Sequence, residues 1–220
     1  MAAVGFLDSL SVEEVDALRA VSVRRAYGAN VTLLHQADEA GPVVVLLSGR
    51  VKITVSQAGR EAIVAILGPG ELVGELAALD DGPRSTTVTT LEPVDALVLS
   101  RSDFAALLER RPRIALVILR TVAHRLRYAD VQQAQFATHD VVGRLARRLV
   151  ELCERFGTQQ ERGIEIRLPL SQEELASWVG ASREAVSKAF QLLRSLDIVE
   201  TGRRRVTVLD LGALERRSNA

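Results

Sequence analysis

A single cysteine, Cys153, stands in 220 residues. That scarcity excludes a disulfide framework and any multi-cysteine zinc or iron–sulfur centre within one chain. Cys153 falls in an apolar-periodic stretch and reads as a small core residue, comfortable in a reducing cytosol. An excess of either charge is missing too, since 28 basic residues balance 28 acidic ones. Bulk charge therefore names no partner, and any nucleic-acid site must come from local arrangement. Long apolar runs are also absent; stretches such as Ala62 to Leu67 fall far short of a membrane span. Met1 to Leu10 lack a basic start followed by an apolar core, so no signal peptide is expected. No nucleophile–base pair or cofactor loop suggests catalysis. These absences predict a cytoplasmic protein that is neither an enzyme nor membrane-bound, and long enough to bury ordinary cores unaided.

What the sequence does contain changes character twice. From about Val21 to Ser100 it is rich in Val, Ile, Leu and Thr. Val43–Leu47, Val51–Val55, Ile63–Leu67 and Ala96–Leu99 read as short strands. Turn signals separate them at Gly41-Pro42, Gly49, Ala58-Gly59, Gly68-Pro69-Gly70 and Gly82-Pro83. Such spacing predicts a small roll, barrel or sandwich. A short helix leads in, with Ser11 and Glu14 as a capping box and Val12, Val15 and Leu18 at helical spacing.

From Ser102 the period becomes helical. One helix ends at Arg111, and Pro112 is suited to open a second, because its missing N–H costs little there. No Gly or further Pro follows until after Phe136. Ala115, Ile118, Val122, Leu126, Ala129, Gln133 and Phe136 recur at three- and four-residue steps, as in a coiled-coil seam. Two readings stay open: a helix packed on its own domain, or a parallel dimer interface. Beyond His139 the pattern predicts a helix over Val141–Arg155 and a strand over Gly163–Leu168. Helices near Gln172–Val179 and Arg183–Ser195 follow. Strands near Ile198–Glu200 and Val206–Leu209 then turn at Thr201-Gly202, and Arg216 to Ala220 read as frayed.

Two constellations carry chemistry. The first begins with Ser171 and Glu174, a second capping box. Gly180 then ends that helix in the left-handed conformation, and Ser182 caps the next one. Ala185, Val186, Ala189, Phe190 and Leu193 line the inner side of this second helix; Arg183, Glu184, Ser187 and Lys188 line the outer. A helix entering the major groove presents its N-terminal turns to base edges. Arginine there bonds guanine in bidentate fashion, and glutamate accepts from cytosine. Arg203-Arg204-Arg205 in the following hairpin suits phosphate contacts. A capped helix, a glycine turn, a second capped helix and a basic hairpin together point to a DNA reader more strongly than solvated charges do.

The second constellation is Val73-Gly74-Glu75-Leu76 followed by Gly82-Pro83-Arg84-Ser85-Thr86. A buried phosphodiester needs a cation, free backbone N–H groups and small hydroxyl donors, and Arg84, Ser85 and Thr86 supply them. Glu75 can accept from a ribose hydroxyl, and Gly74 permits close backbone approach. The competing reading is an internal Arg84–Glu75 salt bridge.

These residues resemble the cyclic-AMP receptor protein/FNR superfamily of bacterial regulators over about Val21 to Leu209. The carrying segments are His35-Gln36, Leu47-Ser48-Gly49-Arg50-Val51, Gly74-Glu75-Leu76, Pro83-Arg84-Ser85, Asp140-Val141-Val142-Gly143-Arg144 and Val179-Gly180-Ala181-Ser182-Arg183-Glu184. Gly-Glu-Leu with Arg-Ser nine residues after the glutamate is specific for the cyclic-nucleotide branch. The resemblance implies an α+β chain. Its parts are an N-terminal cyclic-nucleotide-binding β-roll, jelly-roll-like, over 1–111, a dimerisation helix over 112–138 and a winged helix-turn-helix over 139–220. It further implies that Glu75 holds the ribose 2′-hydroxyl while Arg84 and Ser85 hold the cyclic phosphate. Arg183, Glu184 and Lys188 then face base edges, Gln172 and Ser182 contact phosphates, and His139-Asp140 is the hinge. Arg125 is in place to meet the base. Family members that answer cyclic AMP usually present Thr, then Ser or Asn, where this chain has Ala129 and Asp130; Asp130 can accept from adenine or guanine. The expected effector is a cyclic nucleotide, cyclic AMP ahead of cyclic GMP. Metal, haem and iron–sulfur are not expected, since His35, His124 and His139 form no ligand pattern. The expected partners are a second copy, palindromic double-stranded DNA and RNA polymerase. The alternative is a family member that acts without a cyclic nucleotide or answers a different small effector.

Overall fold

The computed structural model describes residues 5–167 and 169–219, and of 134–138 the backbone only. The expected seam position Phe136 and the expected strand end at Leu168 lie outside the described side chains and residues, respectively. The chain divides into two compact units, one ending at Arg127 and the other running from Tyr128.

The first unit opens with helix α1 (Val12–Ala20), capped as its sequence predicts: the Ser11 hydroxyl accepts from the Glu14 N–H and the Glu14 carboxylate from the Ser11 N–H. Eight strands follow: β1 (Val23–Tyr27), β2 (Thr32–Leu34), β3 (Val43–Ser48), β4 (Val51–Gln57), β5 (Arg60–Leu67), β6 (Leu72–Val73), β7 (Thr87–Thr90) and β8 (Val94–Leu99). They form two four-stranded antiparallel sheets, in the orders β1-β8-β3-β6 and β2-β7-β4-β5. The uninterrupted apolar run of β3 follows from this architecture. Val44 and Leu46 point into the core between the sheets, with Leu34, Val51, Ile53 and Val88. Val43 and Val45 point to the opposite face, where Phe6, Leu18, Phe104, Leu107, Ile114 and Ile118 cover them. A strand buried on both faces cannot alternate polar and apolar residues.

That second core is covered by α3 (Arg101–Arg110) and by the first turns of α4 (Pro112–Thr138). The start of α4 corrects the seam expected there. Ile118 is fully buried on the roll with Ile114 and Val117, and Val122 packs on the same cluster. The face left outward carries Leu116, Leu119 and Leu126, the last two 63% and 64% exposed. Heptad spacing thus continues along α4: Leu126 of the expected seam stays outward with Leu116 and Leu119, while Ile118 and Val122 turn to the roll.

In the second unit, α5 (Val141–Phe156), α6 (Gln172–Val179), α7 (Arg183–Ser195) and α8 (Leu211–Ser218) accompany a sheet ordered β11-β12-β10-β9. Its strands are β9 (Thr158–Gln160), β10 (Gly163–Arg167), β11 (Val199–Gly202) and β12 (Arg205–Val208). Two expectations are corrected here. The last hairpin turns at Arg203-Arg204, with Arg204 at φ 55°, rather than at Thr201-Gly202. The end of the chain is not frayed from Arg216: α8 runs to Ser218, which is 2% exposed, and Leu214 is fully buried. Among the described residues no helix is long and apolar enough to cross a membrane, and no cluster of His, Cys, Asp and Glu could hold a metal.

Candidate nucleotide and nucleic-acid sites

The turn between β6 and β7 gathers the Gly74–Thr86 constellation around a buried arginine. Gly74 precedes the short helix α2 (Glu75–Asp80) at φ 84°, a conformation that favours glycine. A Cβ at this position would stand 2.7 Å from Arg84 Nη1 and 3.0 Å from the Pro42 carbonyl oxygen. The backbone must therefore be bare for the arginine to lie against it. Arg84 is only 5% exposed. It donates from Nη1 to the Gly74 carbonyl and from Nη2 to the Pro42 carbonyl, both at 2.7 Å. Its own backbone is fixed as well, pairing with Asp38 and Ala37 at 2.8 Å. The loop following His35-Gln36 thus encloses the arginine, and Gln36 is itself anchored: its side-chain amide pairs with the Ser56 backbone, while its own N–H donates to the Thr87 hydroxyl at 3.0 Å.

Glu75 is 4% exposed and forms an ion pair with Arg125 of α4 at 2.8 Å; Arg125 also donates to the Leu72 carbonyl at 2.8 Å. The competing internal Arg84–Glu75 bridge does not form. The carboxylate is spent on Arg125, and among the described residues no carboxylate lies within ion-pair distance of Arg84. Burial raises the Glu75 pKa against the opposing pull of Arg125, and burial lowers that of Arg84 against Glu75 and Asp38. Glu75 is paired with the half-buried Arg125, which leaves the buried Arg84 with no carboxylate at ion-pair distance among the described residues, a state that low dielectric makes costly unless an anion enters. Ser85 is exposed and Thr86 half-buried, directly after the arginine. This set suits a singly charged phosphodiester. Leu76 is exposed on α2, and Ala129 and Asp130 are exposed on α4. The sequence had placed Arg125 against a base; its role as counterion to Glu75 rests on tertiary pairing that no local spacing reveals. The two carbonyls that seat Arg84 were equally hidden.

The helix-turn-helix is built as its sequence predicts. Ser171 and Glu174 complete the capping box of α6, and Gly180 closes that helix at φ 69°. The Ser182 hydroxyl accepts from the Ala185 N–H at 3.2 Å and opens α7. Val186, Ala189 and Leu193 are buried beneath it, whereas Arg183, Glu184, Ser187 and Lys188 are exposed on its outer side. Hydrogen bonds from its own N–H and from Ser182 hold the Glu184 carboxyl below the usual range, so it stands ionised as an acceptor. Ser171 and Gln172 are exposed at the start of α6, and Arg203 and Arg204 are exposed at the hairpin tip. Arg205 instead lies on β12, 3.7 Å from Glu165. Arg144 was expected only as part of a resembling segment, yet it fastens the whole reader: it donates to the carbonyls of His139, Val179 and Gly180 at 2.7, 3.0 and 3.2 Å.

Comparison with known proteins assigns each of the two regions to a known domain family. Residues 24–111 match the model of the cyclic nucleotide-binding domain, and residues 143–217 that of the Crp-like helix-turn-helix domain. A CRP-like cAMP-activated global transcriptional regulator of Mycobacterium tuberculosis is 38% identical over 159 residues, covering 72% of this chain and 71% of the relative. The cyclic AMP receptor protein of Thermus thermophilus is 32% identical over 207 residues, covering 94% and 93%. Among solved structures, the catabolite activator protein of Thermus thermophilus superposes with a TM-score of 0.55 at 31% identity, over 97% of this chain and 98% of that one. The c-di-GMP responsive global regulator CLP of Xanthomonas campestris shares the fold, with a TM-score of 0.80 at 24% identity over 91% of this chain and all of that one.

Proposed function

The chain belongs to the cyclic-AMP receptor protein/FNR family of transcriptional regulators, and on that footing we propose that it is a homodimer whose grip on a palindromic operator is set by a cyclic nucleotide, cyclic AMP foremost. The observation that carries the ligand reading is Arg84. A guanidinium 5% exposed, bonded to two neutral carbonyls and, among the described residues, with no carboxylate at ion-pair distance, is a charge kept in place for an anion. Arg84, Ser85 and Thr86 hold the cyclic phosphate in this reading, and Glu75 accepts from the ribose hydroxyl while sharing its carboxylate with Arg125. A ligand that draws on Glu75 changes what Arg125, and so α4, is bonded to. It shifts operator affinity only by binding one arrangement better than the other.

The dimer reading rests on Leu116, Leu119 and Leu126, an apolar stripe that water does not favour and a second α4 would cover. Asp130 continues that stripe, which puts it next to whatever meets the seam. Twofold symmetry then calls for half-sites roughly 34 Å apart, one helical turn of DNA. Arg183, Glu184 and Lys188 read bases, while Gln172, Ser182, Arg203 and Arg204 meet phosphates.

Calorimetric titration of the protein with cyclic AMP and, separately, cyclic GMP tests the proposal. Saturable binding of one of them supports it and names the effector. Binding of neither removes the cyclic nucleotide and leaves a regulator that acts alone or answers another small molecule.

A further inference from the structure

A buried polar cluster in the second unit is used by neither the phosphate-binding turn nor the reading face. The Tyr128 hydroxyl, on α4, donates to Glu151 Oε2 on α5 and accepts from Arg148 Nη1 at 3.0 Å. Arg148 is itself 5% exposed. Its guanidinium lies 4.9 Å from the centroid of the Trp178 ring on α6, and its Nε donates to the Trp178 carbonyl at 3.3 Å. Glu151 also receives Arg155 Nη1 at 3.2 Å. One phenol hydroxyl therefore ties the long helix to α5 and, through Arg148, to the first helix of the reader. Burial and the neighbouring Glu151 push the Tyr128 pKa well above the ordinary phenol value, so the hydroxyl stays a donor at any working pH.

One further observation gives this cluster a purpose beyond packing: Tyr128 lies three positions after Arg125 on the same helix, and Arg125 is the partner of Glu75. A helix is stiff over one turn, so a change at Arg125 reaches Tyr128 directly.

We propose that the Tyr128 hydroxyl is a positioning group: through Glu151 and Arg148 it couples occupancy of the Arg84–Glu75 turn to the placement of α6 and α7. The inference rests on the functional reading above. Its test measures binding of a fluorescent palindromic duplex, selected by the wild-type protein from a randomised pool, with and without saturating cyclic AMP. The readout is the ratio of the two affinities. Tyr128→Phe keeps the ring and removes one oxygen. The expected result is a ratio reduced about fivefold or more, with the effect of duplex on cyclic AMP affinity reduced by the same factor, as linkage requires. Combining Tyr128→Phe with Glu151→Gln is expected to lower the ratio little beyond the single variant, because both act through one bond. A variant that weakens duplex binding equally with and without cyclic AMP, leaving the ratio intact, overturns the proposal and makes Tyr128 merely structural. A wild-type protein whose duplex affinity ignores cyclic AMP overturns the functional reading first and this coupling with it.

Discussion

Replacing Arg84 by leucine removes the group on which the ligand reading turns. A hydrogen bond to a charged partner contributes about 1.5–3 kcal/mol, and a guanidinium facing a phosphate makes up to two. The expected loss is therefore about 3–6 kcal/mol, or roughly two to four decades in affinity at 1.4 kcal/mol per decade. The fold bears an opposed pair of changes. The Gly74 and Pro42 carbonyls each lose a donor at 2.7 Å, which costs about 1–3 kcal/mol apiece, while a buried charge without an ion-pair partner disappears. Glu75 keeps its partner, since it pairs with Arg125 rather than Arg84. Calorimetry with cyclic AMP reads the affinity, and a denaturant titration reads the fold. Arg84→Lys keeps the charge but not the fork of donors, and falls between wild type and Arg84→Leu. An Arg84→Leu protein that folds and binds within threefold of wild type refutes the reasoning, for then the buried cation is not the phosphate's partner.

Four other outcomes follow from the same geometry. Gly74→Ala places a methyl 2.7 Å from Arg84 Nη1 at φ 84°, and is expected to cost about 1–3 kcal/mol of strain together with nucleotide affinity, both read on the purified variant. Burial raises the Glu75 pKa above its unfolded value, so its stabilising proton is fully present below the ordinary glutamate pKa and is lost as pH rises through the raised one; Glu75→Gln should flatten that part of the stability–pH curve measured by denaturation. Arg183→Ala should relax specificity at one base pair by about 1–3 kcal/mol, whereas Arg203→Ala should weaken all sequences alike and lower the salt slope by about 1, as competition binding at several salt concentrations would show. Leu119→Glu with Leu126→Glu, both on the outward face of α4, should yield monomers in sedimentation and weaken palindromic DNA binding far more than half-site binding.

What the sequence made legible was whatever local chemistry encodes. The capping boxes Ser11–Glu14 and Ser171–Glu174, the Gly180 turn and the limits of α6 and α7 were all readable, because caps and left-handed glycines act within a few residues. The β-roll was readable as a class, yet β1 was not: its residues Val23–Tyr27 are mostly exposed, and pairing with β8 rather than apolar patterning makes them a strand. The α8 helix was missed because a run ending in Glu215-Arg216-Arg217 looks solvated until Leu214 is seen buried. Along α4 the apolar residues were found, but which of them face the roll depends on the rotation of the helix against a core that only the fold supplies. The same limit hid the pairing of Arg125 with Glu75, fifty positions apart in the chain. Arg84 stood out by its neighbours Pro83 and Ser85; the carbonyls of Pro42 and Gly74 that seat it are backbone groups and leave no trace in residue types.

A cyclic nucleotide that sets DNA affinity must change duplex binding when it is added. Anisotropy of a labelled palindromic duplex, titrated with the protein at physiological salt, is recorded with and without saturating cyclic AMP and again with cyclic GMP. One nucleotide is expected to change the duplex dissociation constant by about 5–150-fold, the usual range of coupling between two sites, and Arg84→Leu to abolish the change. Duplex binding of equal strength in all three conditions, in a protein that binds the duplex well, would contradict nucleotide control.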